Sequence, residues 1–332
     1  MTTSLRGVSN VVLNVQMLED GIHSGNSGIP PSSFRICRQL LSRVEDEKTG
    51  LVVPKEFWTE IPESRLSQVS AAGEILGDMV VRQFPFVPGG HPVAKDAPIS
   101  EHILARTWRP ALSVTGADGL PATGIAGNVM LPYTNLKLSM RLPPTLDATQ
   151  AAKDLERILT ADPPQGAHVS VEHEHAGNGW HAPLEAEWLN QAVHTASLTY
   201  FDRPCAHLGE GGSIPFMGML LDMFPKAQFL VTGAAGPGNN MHAPNENLHI
   251  DYSARLAMCV SQIVGTLATI PKGGATEGAE AAAAGQKPKS FLDSFQQSGG
   301  DSQFFVGCDC GTAGCVIFDQ GKERPAICPV AS

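Results

Sequence analysis

Along residues 1–180 the apolar positions change their period in a definite order. Val11-Val12-Leu13-Asn14-Val15-Gln16-Met17 is short, apolar and rich in β-branched residues, which predicts a strand. Phe34, Ile36, Cys37, Leu40, Leu41 and Val44 then recur at helical spacing, so a helix with a Ser N-cap is expected from Ser32-Ser33 to about Val44. Ala111–Thr115 reads as a second strand. In Tyr133–Arg141, Leu136, Leu138 and Met140 alternate with Lys137, Ser139 and Arg141, which gives a third strand with one core face and one polar face. Asp147 is placed to cap a helix running to about Leu159, and His168–Glu172 closes the set as a fourth strand. Residues 50–105 form a less regular insert, with a helix over about 54–79 broken near Pro62 and a Pro- and Gly-rich loop at Phe84–Pro92. Strand, helix, insert, strand, strand, helix, strand is the split βαβ, ferredoxin-like arrangement.

The pattern changes at residue 180. Glu185–Tyr200 reads as a helix, Gly211-Gly212-Ser213-Ile214-Pro215 opens another, and Gln228–Thr232 is a strand. Asp251 is expected to cap a helix reaching Leu267, with Leu256, Cys259, Val260, Ile263, Val264 and Leu267 inward. This is α/β material, but one or two strands are few for a closed α/β domain. From Lys272 the chain becomes rich in Gly and Ala, and residues 271–302 read as linker.

Composition narrows the function classes. A chain of 332 residues has room for about two domains. The net charge of −10 repels phosphate backbones, so neither nucleic acid nor an anionic membrane is an expected partner. No run of 18 apolar residues predicts a spanning helix, and the first residues lack the apolar core of a signal peptide. Cys37, Cys205 and Cys259 are scattered as in a reduced protein, which leads to the expectation of a cytoplasmic location.

Several loops carry candidate chemistry. His23 lies among glycines in Asp20–Gly25, and His242 lies in His242-Ala243-Pro244-Asn245-Glu246-Asn247 after the 228–232 strand, where α/β ligand loops sit. On chemistry alone, each is more often a structural or surface histidine. Arg141, on a polar strand face, can grip a carboxylate with two parallel bonds or serve as a surface ion-pair partner. Glu210-Gly211-Gly212-Ser213 can present backbone N–H groups to an anion or be a plain capped turn. His249-x-Asp251 has the spacing of some metal sites, and His173 and His175 lie two apart on one strand, expected to share a face. Cys308, Cys310, Cys315 and Cys328 could make a zinc site, though their spacing fits no standard pairing. The run Gly233–Gly238 does not match a dinucleotide fingerprint.

Read together, these segments are more specific than any one alone. Thr2-Thr3-Ser4-Leu5-Arg6-Gly7, Asp20–Gly25, Arg106-Thr107-Trp108-Arg109-Pro110, Ser139-Met140-Arg141-Leu142-Pro143-Pro144, Gly211–Pro215 and His242–Glu246 occur in this order. Over residues 1–268 the chain resembles the carnosinase-like dipeptidases of the zinc exopeptidase family, which also contains aminoacylase and succinyl-diaminopimelate desuccinylase. The resemblance implies an α/β fold in which a ferredoxin-like lid and dimerisation domain is inserted in a catalytic domain, here incomplete. Residues 1–7 would be a remnant strand of the catalytic domain, 8–178 the lid with its insert at 50–105, 179–270 the C-terminal portion of the catalytic domain, and 271–332 a low-complexity, Cys-containing tail. It further implies a homodimer formed through the lid and a peptide or N-acyl amino acid as substrate.

Site residues follow from the same resemblance. His242 matches the last metal ligand. His23 matches the lid histidine that reaches the partner subunit's active site and steadies the oxyanion. Arg141 matches the arginine that holds the substrate carboxylate. Ser213 and Gly212 match the substrate-binding Gly-Gly-Ser loop, and Asn128 lies where relatives carry a polar residue against the intermediate. The family uses two zinc ions, held in part by an H-x-D motif and a Glu-Glu pair upstream of the lid. This chain contains no Glu-Glu dipeptide. The expectation is therefore a substrate-gripping chain without its own hydrolytic centre, inactive alone, or else a non-catalytic interaction module derived from that family.

Overall fold

A computed structural model describes residues 1–236 and 238–270, with strands at 303–308, 316–319 and 326–327. After β1 (Thr2–Leu5) the chain enters the ten-residue strand β2 (Gly7–Gln16). It continues through β3 (Ile22–His23), α1 (Ser33–Leu41), α2 (Glu63–Leu76), α3 (Met79–Arg82), α4 (Ile99–Thr107), β4 (Ala111–Asp118), β5 (Val129–Met130), β6 (Tyr133–Leu142), α5 (Ala148–Thr160) and β7 (His168–Gly177). Then follow β8 (Trp180–His181), α6 (Glu187–Phe201), β9 (Leu208–Glu210), α7 (Pro215–Met223), β10 (Gln228–Thr232), α8 (Ile250–Thr269), β11 (Gln303–Cys308), β12 (Val316–Asp319) and β13 (Ala326–Ile327). The chain forms two units, one of Ser4–Trp180 with Glu210–Pro215, the other of Met1–Thr3, His181–Gly209 and Phe216–Ser332.

The first unit contains the expected ferredoxin-like fold. Its sheet runs β4-β6-β2-β7, with every neighbouring pair antiparallel. Period-two alternation sends Val11, Leu13 and Val15 of β2, and Leu136, Leu138, Met140 and Leu142 of β6, into one core. Ile36, Cys37 and Leu40 of α1 and Ala151, Leu155 and Leu159 of α5 cover that face. The Asp147 side chain accepts the Gln150 N–H at 2.7 Å, the expected cap of α5. At the other end of α5, the Arg43 guanidinium donates to the carbonyls of Ile158, Ala161 and Asp162 and satisfies groups the helix cannot.

The sequence expectation differs from the structure at three places here. α1 stops at Leu41 rather than Val44, although Val44 remains buried. The helix expected over 54–79 is broken near Pro62 as expected, but the part before the break is a single turn at Lys55–Phe57 and only α2 after it is a full helix. Gly77, at φ +52°, ends α2 before the short α3. The third difference is in β7, where Asn10 opposes His175 but Val11 opposes His173. The extra residue makes a bulge and inverts the alternation. His173 therefore lies on the helix-covered face with Val11 and meets Glu156 of α5 at 2.7 Å, while His175 lies on the other face with Asn10. The two histidines do not share a face and are no metal pair.

The second unit packs α6 against α8. Leu189, Ala192, Val193 and Ala196 meet Cys259, Ile263, Leu267 and Leu230 of β10. The N-cap of α8 is His249, whose Nδ1 accepts the Tyr252 N–H at 3.1 Å; Asp251 sits in the first turn instead of capping. That bond employs the imidazole that the H-x-D spacing had offered to a metal. β10 pairs in parallel with β11, and β12 and β13 follow antiparallel, so strands occur inside the tail that composition alone marked as low complexity. The 271–302 linker reading, like Cys310, Cys315 and Cys328, lies outside the described residues. Among the described residues no helix is long and apolar enough to cross a membrane.

A hydrogen-bonded imidazole–carboxyl pair is built into this unit. His207 Nε2 lies 2.9 Å from Glu185 Oε1, both side chains nearly buried, and Asn190 donates to Glu185 Oε2 at 3.2 Å. Burial would push the Glu185 carboxyl up, but the His207 and Asn190 bonds outweigh it and hold it below its ordinary 4.5. A depressed carboxyl stabilises the fold above its unfolded value, and that contribution is lost as pH falls through the folded value. Urea unfolding of the chain should thus show stability declining below about pH 4.5, and Glu185→Gln should flatten that decline. In the other unit, Leu138 is fully buried. Leu138→Ala should lower the unfolding free energy by about 2–5 kcal/mol, measured by the same titration at neutral pH.

Candidate functional site

The β2–β6 register sets Val8 opposite Arg141, two residues from Arg6. Arg141 is half-buried near the end of β6, and its Nη1 donates to Ser213 Oγ at 3.2 Å. The Ser213 hydroxyl in turn donates to the Arg6 carbonyl at 2.6 Å, which directs its lone pairs toward Arg141. The Arg6 N–H donates to Glu210 O at 3.2 Å, and Arg6 Nε to Gly211 O at 3.3 Å. The Glu210–Ser213 turn is thereby held against the start of β2.

The charges in this cluster are unequal. Arg106 meets Glu210 at 3.7 Å and Arg109 meets Glu101 at 2.5 Å, all partly exposed. Among the described residues no carboxylate pairs with Arg141. Burial pushes the Arg6 guanidinium down to about 10, and the neighbouring Arg141 and Arg106 charges add to the effect. A half-exposed guanidinium with free donors, bordered by a second buried one, matches a carboxylate better than any neutral group.

His23 and Asn128 come together elsewhere in the same unit, on the ribbon formed by β3 and β5. His23 pairs with Val129, and the Ser24 N–H donates to Asn128 O at 2.9 Å. The Gly25 N–H donates to His23 Nδ1 at 3.0 Å, so the neutral ring carries its proton on Nε2. Both side chains are exposed, and an outward Nε2–H is a donor suited to an oxyanion.

His242, in the other unit, is exposed and adopts the left-handed conformation with φ +61°. Asn240 and Asn245 share that conformation. The loop is clamped by Asn239, which accepts from Gly236 N and donates to Asn247 O, and by Asn247 Nδ2 on Gly238 O at 2.9 Å. Among the described residues no group of three or more His, Cys, Asp or Glu side chains could hold a metal ion.

Comparisons with known proteins relate most of the chain to peptidases. No protein-family profile matches the chain. It is 27% identical over 265 residues to the cysteinylglycine-S-conjugate dipeptidase of Corynebacterium striatum, covering 75% of this chain and 52% of that protein. The di-peptidase Dug1p of Saccharomyces cerevisiae superposes with a TM-score of 0.62 at 17% identity, over 82% of this chain and 56% of that one. Human carnosine dipeptidase 1 superposes with a TM-score of 0.57 at 18% identity, over 80% and 56%. The chain is thus similar in sequence to one dipeptidase and in fold to two others. It spans about half the length of the dipeptidases it matches.

Sequence reasoning assigned no role to Arg6, although a signal was present. Arg6 is the one charged residue among the first eighteen, set in an otherwise uncharged strand sequence. A buried charge in such a run needs partners, and the structure supplies them.

The turn that Arg6 holds admits a sharp test. A Cβ on Gly211 would lie 2.9 Å from Arg106 O and 3.0 Å from Arg6 Nη2, whereas one on Gly212 meets nothing within 4 Å. Gly211→Ala should destabilise the chain by about 1–3 kcal/mol, and Gly212→Ala should stay within about 0.5 kcal/mol, both read from thermal melts.

Proposed function

We propose that this chain supplies the substrate-gripping elements of a metal-dependent dipeptidase or related amidohydrolase. The observation that carries this reading is Arg141: its guanidinium is oriented by Ser213 and has no carboxylate partner among the described residues. The C-terminal carboxylate of a peptide or N-acyl amino acid would fill it, with Gly212 and Ser213 bordering the ligand. His23, with its Nε2 proton outward and Asn128 beside it, would donate to the oxyanion formed when the amide carbonyl is attacked.

The segments flanking the ribbon that bears His23 expose Ile29 and Ile125, at 91% and 81%. These apolar side chains suit a surface covered in a homodimer, in which His23 serves the partner's substrate. In the whole family, metal supplies the activated water. We assign this chain binding and orientation, and hydrolysis only with further ligands, a reading supported by the lack of three clustered donors among the described residues. The rival reading, a non-catalytic interaction module, draws on the same lack of three clustered donors.

Calorimetry on the full chain distinguishes them. Glycylglycine should bind more tightly than its C-terminal amide, and Arg141→Met should weaken the free acid by about 10–100-fold while sparing the amide. No preference for the free acid in the wild-type chain would favour the module. Cleavage of the dipeptide by the purified chain with zinc would overturn the incomplete centre.

A further inference from the structure

We propose that Arg6 is a positioning residue, which locks the Glu210–Ser213 turn to the end of α4 and thereby sets the aim of Arg141. This rests on the carboxylate-gripping reading above and names the residue on which that grip depends. Arg6 is 9% exposed and bonded on every side. Its main chain holds the turn through Glu210 O and the Ser213 hydroxyl, and its Nε takes Gly211 O. Its Nη1 reaches the carbonyls of Ala105 and Arg109, each at 3.4 Å.

The α4 end of this arrangement is specific. In a continuing helix the Arg109 N–H would bond Ala105 O; here it bonds Leu104 O at 3.0 Å, as the Trp108 N–H also does at 2.8 Å. The Ala105 carbonyl is left for a side-chain donor at the negative end of the helix. A planar fork reaches three carbonyls on two segments at once, which an ammonium on a flexible stem cannot reproduce. Each of those acceptors is a neutral carbonyl, and among the described residues no carboxylate pairs with Arg6. The buried charge therefore stays uncompensated beside Arg141, where it adds to the attraction for an anion.

The test is the ratio of affinities for glycylglycine and glycylglycinamide, measured by calorimetry on the full chain. Arg6→Lys keeps the charge and loses the fork. It should weaken the free acid by about tenfold and leave the amide unchanged. Arg6→Met, which loses both, should weaken the free acid further. Should these variants fail to fold, Gly211→Ala crowds the guanidinium off the turn without removing its charge, and should lower the same ratio. Equal loss for both ligands would mark Arg6 as merely structural and overturn the proposal, as would an unchanged ratio. A wild-type chain without preference for the free acid would instead sink the carboxylate reading itself.

Discussion

The antiparallel register between β2 and β6 is the constraint on which the candidate site depends. It pairs Gly7 with Leu142 and Val8 with Arg141, and so brings the strand's first residues and the loop that Arg6 holds to the guanidinium. Because side chains alternate with a period of two, a slip of one residue would turn Arg141 to the helix-covered face and Leu142 out of the core. The buried set Val11, Leu13 and Val15 facing Leu136, Leu138 and Met140 opposes that slip. The same apolar alternation that makes the sheet therefore also fixes where the charge stands.

Charge distribution gives the cluster its character. A chain with net charge −10 gathers Arg6, Arg106 and Arg141 at one place, with Glu210 the one carboxylate meeting any of the three among the described ion pairs. Overall acidity does not describe the field at this point, because nearby charges in a partly dry setting outweigh distant screened ones. Long-range repulsion of polyanions and local attraction for a single carboxylate coexist without conflict.

Local rules made much of the ferredoxin-like fold legible. Alternation identified β2 and β6, helical spacing identified α1 and α5, and Asp147 was visible as a cap. What was not legible depends on pairing between distant segments. The bulge that separates His173 from His175 exists only relative to β2. The capping role of His249 outcompeted Asp251 through a bond that composition does not reveal. The strands within 303–327 carry Phe304-Phe305-Val306 and Val316-Ile317-Phe318, a local strand signal that the Gly- and Ala-rich run before them obscured. At the site, Arg141, Ser213, His23 and Asn128 could be named from motif order, and the structure groups them as two neighbouring pairs. Arg6 joins segments 99 and 205 residues away, which no local pattern encodes.

The loop around His242 carries a different kind of information. Three non-glycine residues within six positions hold a left-handed backbone; asparagine tolerates it, as at Asn240 and Asn245, whereas for His242 the cost relative to glycine is roughly 1 kcal/mol. Mutational drift toward stability would therefore replace His242 with glycine. An imidazole at that position carries a backbone cost that a glycine there would avoid, so the loop's shape and its side chain make opposing demands on the same residue.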